Sequence, residues 1–105
     1  MQIDEKGDGT AVTVQPNQTL EVTLVENPTT GYTWKLVSGG APVLQLEADR
    51  YEAPAAQRTG APGRHTWVMR VATTGNAILE LVYTRPWETG EPARQFSLRV
   101  KSRNP

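Results

Sequence analysis

The sequence has no cysteine and a single histidine, His65, among its 105 residues. Without cysteine there is no disulfide, thiol nucleophile or thiolate metal site, and one histidine cannot make a histidine-rich metal site. We therefore expect no metal and no other cofactor. His65 has no nucleophile or carboxylate at a recognisable motif spacing. We interpret it as a structural or solvent-facing imidazole, with a general base as the alternative.

Excess charge of either sign is also missing, because eleven Lys and Arg residues balance eleven Asp and Glu residues. This balance gives no electrostatic reason to expect nucleic acid or an anionic membrane as a partner. The sequence has no apolar run of about eighteen residues, and residues 1–7 lack the two regions of a signal peptide. The location stays open: cytoplasmic as printed, periplasmic or secreted if a leader has been removed.

No helical apolar stripe occurs, and short alternating runs instead predict about seven strands. We expect an all-β, immunoglobulin-like β-sandwich without a disulfide, a single domain over residues 1–105 and a monomer. Trp34, on the third predicted strand, is expected in the core. Glu47 and Asp49 lie two residues apart on the fourth, and we interpret them as a solvated face rather than a catalytic pair. The runs are 11–14, 19–25, 32–37, 44–49, 66–71, 79–83 and 95–101.

Three connections, residues 27–31, 53–64 and 85–92, are rich in proline and glycine and are expected at one end of the sandwich. In the first, Pro28 fixes its own φ and Gly31 can take a positive φ. The threonines between them are expected at a stiff tip, although a plain turn is the alternative. Trp87 is either an interface anchor or a cap over the core.

Three segments carry a family resemblance: Asn27-Pro28-Thr29-Thr30-Gly31-Tyr32, Gly60-Ala61-Pro62-Gly63 and Arg85-Pro86-Trp87-Glu88. Together with the strand residues between them, over roughly residues 18–101, they resemble the chagasin family of cysteine peptidase inhibitors. The middle segment departs from the family pattern, because Pro62 stands where that pattern has glycine. We expect the flanking Gly60 and Gly63 to supply any unusual dihedral angles.

The resemblance implies a reversible, competitive inhibitor of papain-like, cathepsin L-like cysteine peptidases, and not an enzyme. Its first loop would enter the catalytic cleft and the other two would grip either side. The alternative is a non-catalytic sandwich module for carbohydrate or surface assembly, with Trp87, Trp34 and Tyr32 as a stacking platform. No catalytic residue is implied, and the implied peptidase-binding residues are Asn27, Pro28, Thr29, Thr30, Gly31, Tyr32, Gly60, Ala61, Pro62, Gly63, Arg85, Pro86 and Trp87.

Overall fold

A computed structural model describes residues 1–54 and 61–105. Across these two ranges the chain forms strands and two single-turn 3-10 helices, Glu5–Gly7 and Pro28–Thr30. No helix in the described ranges is long and apolar enough to cross a membrane. The strands are β1 Gln2–Ile3, β2 Ala11–Val14, β3 Thr19–Glu26, β4 Thr33–Gly39, β5 Leu44–Glu52, β6 Gly63–Val71, β7 Gly75–Thr84 and β8 Arg94–Ser102.

The strands form two four-stranded sheets, with orders β1-β3-β6-β5 and β2-β8-β7-β4. Most neighbours are antiparallel, but β1 runs parallel to β3 and β2 parallel to β8. The predicted β-sandwich is confirmed. Strand β1 was not predicted, because two residues are too few to show an alternating pattern.

The core lies between the sheets and follows the period-two pattern of the strands. On β3 the buried positions are Leu20, Val22, Leu24 and Glu26, so a carboxylate ends an otherwise apolar row. Trp34 is 6% exposed, which confirms the buried aromatic predicted on that strand. The other buried apolar side chains are Val14, Val43, Leu44, Trp67, Met69, Val71, Leu79, Leu81, Phe96, Leu98 and Val100.

The outer strands β4 and β5 each carry a register shift, between Leu36 and Ser38 and between Leu46 and Ala48. Such bulges interrupt the row of free backbone groups and discourage pairing with another chain. In β5, Leu46 pairs with Met69 and Asp49 with Trp67, so Glu47 is the extra residue. The prediction that Glu47 and Asp49 share one face is therefore wrong. The bulge turns Asp49 to the face of the sheet that carries Trp67, although half of its side chain stays exposed.

Candidate functional site

The first loop is a capped 3-10 turn. Asn27 is the N-cap, and its side-chain oxygen accepts a hydrogen bond from the backbone N–H of Thr29 at 3.3 Å. Pro28 occupies the first turn position, where its missing N–H costs nothing. Gly31 ends the turn with φ +84, and its N–H donates to the carbonyl of Pro28 at 2.9 Å. The sequence Asn-Pro-Thr-Thr-Gly thus specifies both ends of the turn locally.

Both threonine hydroxyls at the tip are used inside the loop. Thr29 Oγ1 donates to Asn27 Oδ1 at 2.5 Å, and Thr30 Oγ1 donates to the carbonyl of Asn27 at 2.8 Å. Pro28, Thr29 and Thr30 are nevertheless exposed. The tip therefore presents methyl groups, hydroxyl lone pairs and backbone on a frame that its own side chains hold rigid.

The connection between β7 and β8 packs directly on this loop. Trp87 is 69% exposed, so the interpretation of its side chain as a cap over the core is wrong. A Cβ placed on Gly31 would overlap the Trp87 indole, with the ring atom Cζ2 at 3.0 Å. The exposed indole therefore rests on a position that only glycine leaves free.

Arg85 joins the same two loops from beneath the tip. Its Nε donates to the carbonyl of Thr30 at 3.1 Å, and its guanidinium carbon lies 4.3 Å from the centre of the Tyr32 ring. Its Nη1 donates to Glu88 at 2.9 Å, and this hydrogen bond raises the pKa of the Arg85 guanidinium. Arg85 therefore remains a cation and holds the two loops together over the whole working pH range.

The base of the first loop is closed by aromatic residues of the other sheet. Trp34 Nε1 donates to the carbonyl of Val25 at 2.9 Å, and the N–H of Asn27 donates to the Tyr83 hydroxyl at 3.0 Å. Tyr32 stacks on Tyr83, with ring centres 5.3 Å apart. Hydrogen bonds between the two sheets therefore fix the base of the loop. Tyr32 supports this base by stacking on Tyr83 and is not part of the exposed tip.

The second connection, between β5 and β6, emerges beside the first, because Gly63 pairs with Glu26 and Arg64 with Glu52. Pro62 is exposed, and Gly63 is buried without a positive φ. A Cβ on Gly63 would overlap the Tyr51 hydroxyl and the Glu52 carbonyl. Gly63 is therefore required for space, and the expectation that it supplies an unusual dihedral angle is wrong. Gly60 lies outside the described residues.

We call the region where these connections meet the loop end. It brings together 27–32 and 85–87 in direct contact, with 61–63 alongside. Within the described parts of the chain, no group of three or more His, Cys, Asp or Glu side chains could hold a metal ion. Because Trp34 is buried and Tyr32 lies under Arg85, these two rings do not join Trp87 in an exposed stacking platform.

Sequence reasoning missed a polar group beneath the loop end: Glu26, His65 and Asp49. His65 Nδ1 lies 3.1 Å from Glu26 Oε1, and its Nε2 is hydrogen-bonded to Asp49. His65 is half-buried, so of the two interpretations given for it, the structural imidazole is found. One signal was present in the sequence, since Glu26 continues the inward row of apolar residues on β3 as a lone charge.

Comparisons with known proteins agree with this architecture. Residues 13–100 match the family described as Chagasin family peptidase inhibitor I42. Amoebiasin-1 of Entamoeba histolytica is 32% identical over 102 residues, covering 95% of this chain and 97% of that protein. Chagasin of Trypanosoma cruzi is 29% identical over 102 residues, covering 90% and 91%.

A solved structure is also similar. The cysteine protease inhibitor EhICP2 from Entamoeba histolytica superimposes with a TM-score of 0.88 at 28% identity, covering 97% of this chain and 94% of that one. The family match spans most of the sandwich, from β2 into β8, and includes all three connections of the loop end. The chain belongs to the chagasin family of peptidase inhibitors.

Proposed function

We propose that the loop end blocks the catalytic cleft of papain-like cysteine peptidases, reversibly and in competition with substrate. The protein is an inhibitor and not an enzyme, because the family to which it belongs consists of peptidase inhibitors. The observation that carries the proposed site is the seating of the exposed Trp87 indole on Gly31, which makes one continuous surface from two loops.

The exposed tip of this surface, Thr29 and Thr30, would enter the cleft and cover the catalytic thiol and imidazole. Trp87 would lie against the cleft wall, as exposed aromatic anchors do in protein interfaces. Because the turn is closed by its own hydrogen bonds and by Arg85, little conformational freedom remains to be lost on binding. A rigid inhibitor of this kind docks with little change of shape.

The same turn explains why the loop would resist cleavage. A peptidase cleaves a segment that lies extended in its cleft, whereas Pro28–Thr30 is a 3-10 turn closed at both ends. Opening it would break the bonds to Asn27 and displace Trp87 from Gly31. The loop would therefore occupy the cleft without becoming a good substrate.

We include the connection after β5 in the proposed contact surface. Ala61 and Pro62 lead into β6 beside Glu26, on the same end of the sandwich as the first loop. Gly60 is included on the family resemblance alone. We further propose that residues 1–105 act as one inhibitor domain, since the strands of both sheets come from the whole length of the described chain.

The test is a titration of papain with the protein, reading hydrolysis of a small fluorogenic substrate at several substrate concentrations. We expect the apparent inhibition constant to rise linearly with substrate concentration, and activity to return fully on dilution. The control is Val37→Ala, an exposed apolar side chain on β4 outside the proposed surface, which should inhibit as the wild type does. Unchanged papain activity at micromolar protein, or a covalent adduct by mass spectrometry, would contradict the proposal.

A further inference from the structure

Beneath the loop end, the interior of the sandwich changes from apolar to charged. Glu26 is 3% exposed, and its Oε1 accepts a hydrogen bond from the backbone N–H of Trp34 at 2.6 Å. Both of its oxygens lie 3.1 Å from His65 Nδ1. On the other side of the imidazole, Nε2 is hydrogen-bonded to Asp49 Oδ1. One imidazole therefore bridges two carboxylates from two different strands.

Hydrogen bonds from the ring to both carboxylates need a hydrogen on each ring nitrogen, because an ionised carboxylate can only accept. Only the imidazolium cation carries both hydrogens, so the complete bridge corresponds to that form of the ring. The ring also stacks on Trp67, with centres 4.0 Å apart and planes at 6°, a contact with an aromatic face that favours a cation.

The bridge acts at the root of the inhibitory loop. Residues 27–33 lie between the two residues joined by the Glu26–Trp34 hydrogen bond, which also connects the two sheets. A second bond, from Trp34 Nε1 to the carbonyl of Val25, closes the same root. If the Glu26 carboxylate turned away, the Trp34 N–H would lose its acceptor and the start of β4 would be free to shift.

We propose that His65 is a positioning residue for the inhibitory loop, and that its cationic form holds Glu26 on the Trp34 N–H. A buried carboxylate is costly unless it is paired, and the imidazolium supplies the pairing charge. This inference rests on the proposed function for its effect on inhibition, but the bridge itself belongs to the free protein.

Among the described residues, the side chains in direct contact with the ring are Glu26 from β3, Asp49 and Tyr51 from β5, and Trp67 from β6 itself. Arg64 precedes His65 on β6, is exposed, and points to the opposite face of the sheet. From the facing sheet, the Trp34 N–H bonds to Glu26 and the Tyr83 hydroxyl to Asn27. The cavity that Asp49 lines is also lined by the charged residues Lys35, Arg85 and Glu88.

The sign of the pH dependence follows from the donor count. As pH rises and the imidazole loses a proton, one of the two carboxylates loses its donor. The contribution of the bridge is therefore complete while the ring is cationic and is lost as pH rises. The two forms of the bridge are therefore compared at an acidic and a basic pH.

The first experiment uses the free protein. The chain has one histidine, so its imidazole nitrogen signals in ¹⁵N NMR need no assignment among residues. We expect both nitrogens protonated at about pH 5, and faster hydrogen exchange of the Trp34 amide, corrected for intrinsic rate, at about pH 8. A neutral ring at the acidic end, or protection of that amide that does not change, would overturn the inference. This experiment is independent of any peptidase.

The second experiment compares inhibition of papain by wild type and His65→Gln at the two pH values. Taking the ratio of their inhibition constants at each pH removes the titration of papain itself. We expect the variant to be weaker by about five- to tenfold at the acidic end, and by less than about twofold at the basic end. Arg70→Gln, which removes a charge from the exposed face of the same strand, should show a ratio near one throughout.

A second variant guards against misfolding of the first. Glu26→Gln keeps an amide oxygen to accept from the Trp34 N–H but removes the charge that pairs with His65. We expect its inhibition, relative to wild type, to change with pH as that of His65→Gln does. Equal ratios at both pH values for both variants would overturn the positioning role. If wild type fails to inhibit papain, the proposed function falls, while the NMR experiment still decides the bridge.

Discussion

Two separate constraints meet at Gly31. Its φ of +84 lies in the left-handed region, which strains any residue with a Cβ. In addition, the Trp87 indole occupies the space that a Cβ would need. Gly9 carries only the first constraint, with φ +76 and no atom within 4 Å of the position that a Cβ would take. The two glycines therefore separate backbone strain from loss of the contact between the loops.

We predict that Gly31→Ala weakens inhibition strongly, whereas Gly9→Ala leaves it unchanged. Both variants should lose about 1 kcal/mol of stability from backbone strain, which corresponds to a fall in Tm of about 4–8 °C for a domain of this size. Only the first should displace Trp87. Thermal unfolding and papain titration of the two variants test this, and equal inhibition by both would show that the Trp87 seat is irrelevant to binding.

Trp87→Ala should weaken binding to papain by about 2 kcal/mol or more, as truncation of central aromatic anchors does. Its effect on Tm should be small, because the side chain is 69% exposed and contributes little to the core. Val37→Ala, at 57% exposure on β4, is the matched control and should change neither quantity. A large fall in Tm with unchanged affinity would return Trp87 to a structural role.

For single residues, the sequence predicted best those features that depend only on neighbouring residues in the chain. The Asn-Pro-x-x-Gly pattern indicated Gly31 as a positive-φ residue, because glycine in that setting needs no distant partner. The sequence could not decide whether Trp87 is an exposed anchor or a cap over the core, because its exposure depends on how two loops pack. The role of Gly63 was also predicted wrongly. A Cβ there would overlap the Tyr51 hydroxyl, and this contact is set by strand pairing, which a single sequence does not show.

Among the elements, the first loop owes its rigidity more to Pro28 and Gly31, which set the two ends of the turn, than to any one hydroxyl. Thr29 Oγ1 donates within the loop, so Thr29→Ala removes one neutral hydrogen bond at an exposed site and should cost less than about 1 kcal/mol of binding. Joint replacement of Pro28 and Gly31 by alanine should cost more, because it frees both ends of the turn.

The measurement is the inhibition constant of Thr29→Ala and of the double replacement of Pro28 and Gly31. Thr29→Ser is the control that keeps the hydroxyl. If Thr29→Ala costs as much binding free energy as the double replacement, the Thr29 side chain and not the fixed ends of the turn determines affinity.

The loop before β6 offers a test of stiffness alone. Pro62 is exposed and lies next to Gly63, the first residue of the strand. Pro62→Gly should leave inhibition unchanged or weaken it by up to about 1 kcal/mol, since glycine adds freedom that must be lost on binding. Papain titration measures this directly. A clear gain in affinity would show instead that proline obstructs the contact.

The β5 bulge shows where element-level prediction stops. Period-two reading placed Glu47 and Asp49 on one polar face, but one extra residue at the bulge moved Asp49 to the face of His65. A bulge leaves no fixed mark in a single sequence. The bridge of Glu26, His65 and Asp49 was unpredicted for that reason, because its members meet only through strand pairing and this shift.

For the whole molecule, the sandwich supplies a rigid mount for loops from both sheets. The first connection leads from one sheet to the other, the second joins β5 to β6, and the third joins β7 to β8. Alternating strands and ordered motifs were enough to predict this arrangement, because each depends on local pattern and chain order. The contacts that lock the loops together, Arg85 on Thr30 and Trp87 on Gly31, required the structure.

The most direct measurement is an amide NMR footprint of the ¹⁵N-labelled protein on adding papain whose active-site thiol has been blocked by a small reagent. We expect perturbed amides to cluster at the non-proline residues of 27–32, 61–63 and 85–88, while the turn at 72–74 at the other end of the sandwich stays unchanged. Perturbation centred on that turn, or on the outer face of β7 and β8, would contradict the claim that the loop end binds the peptidase.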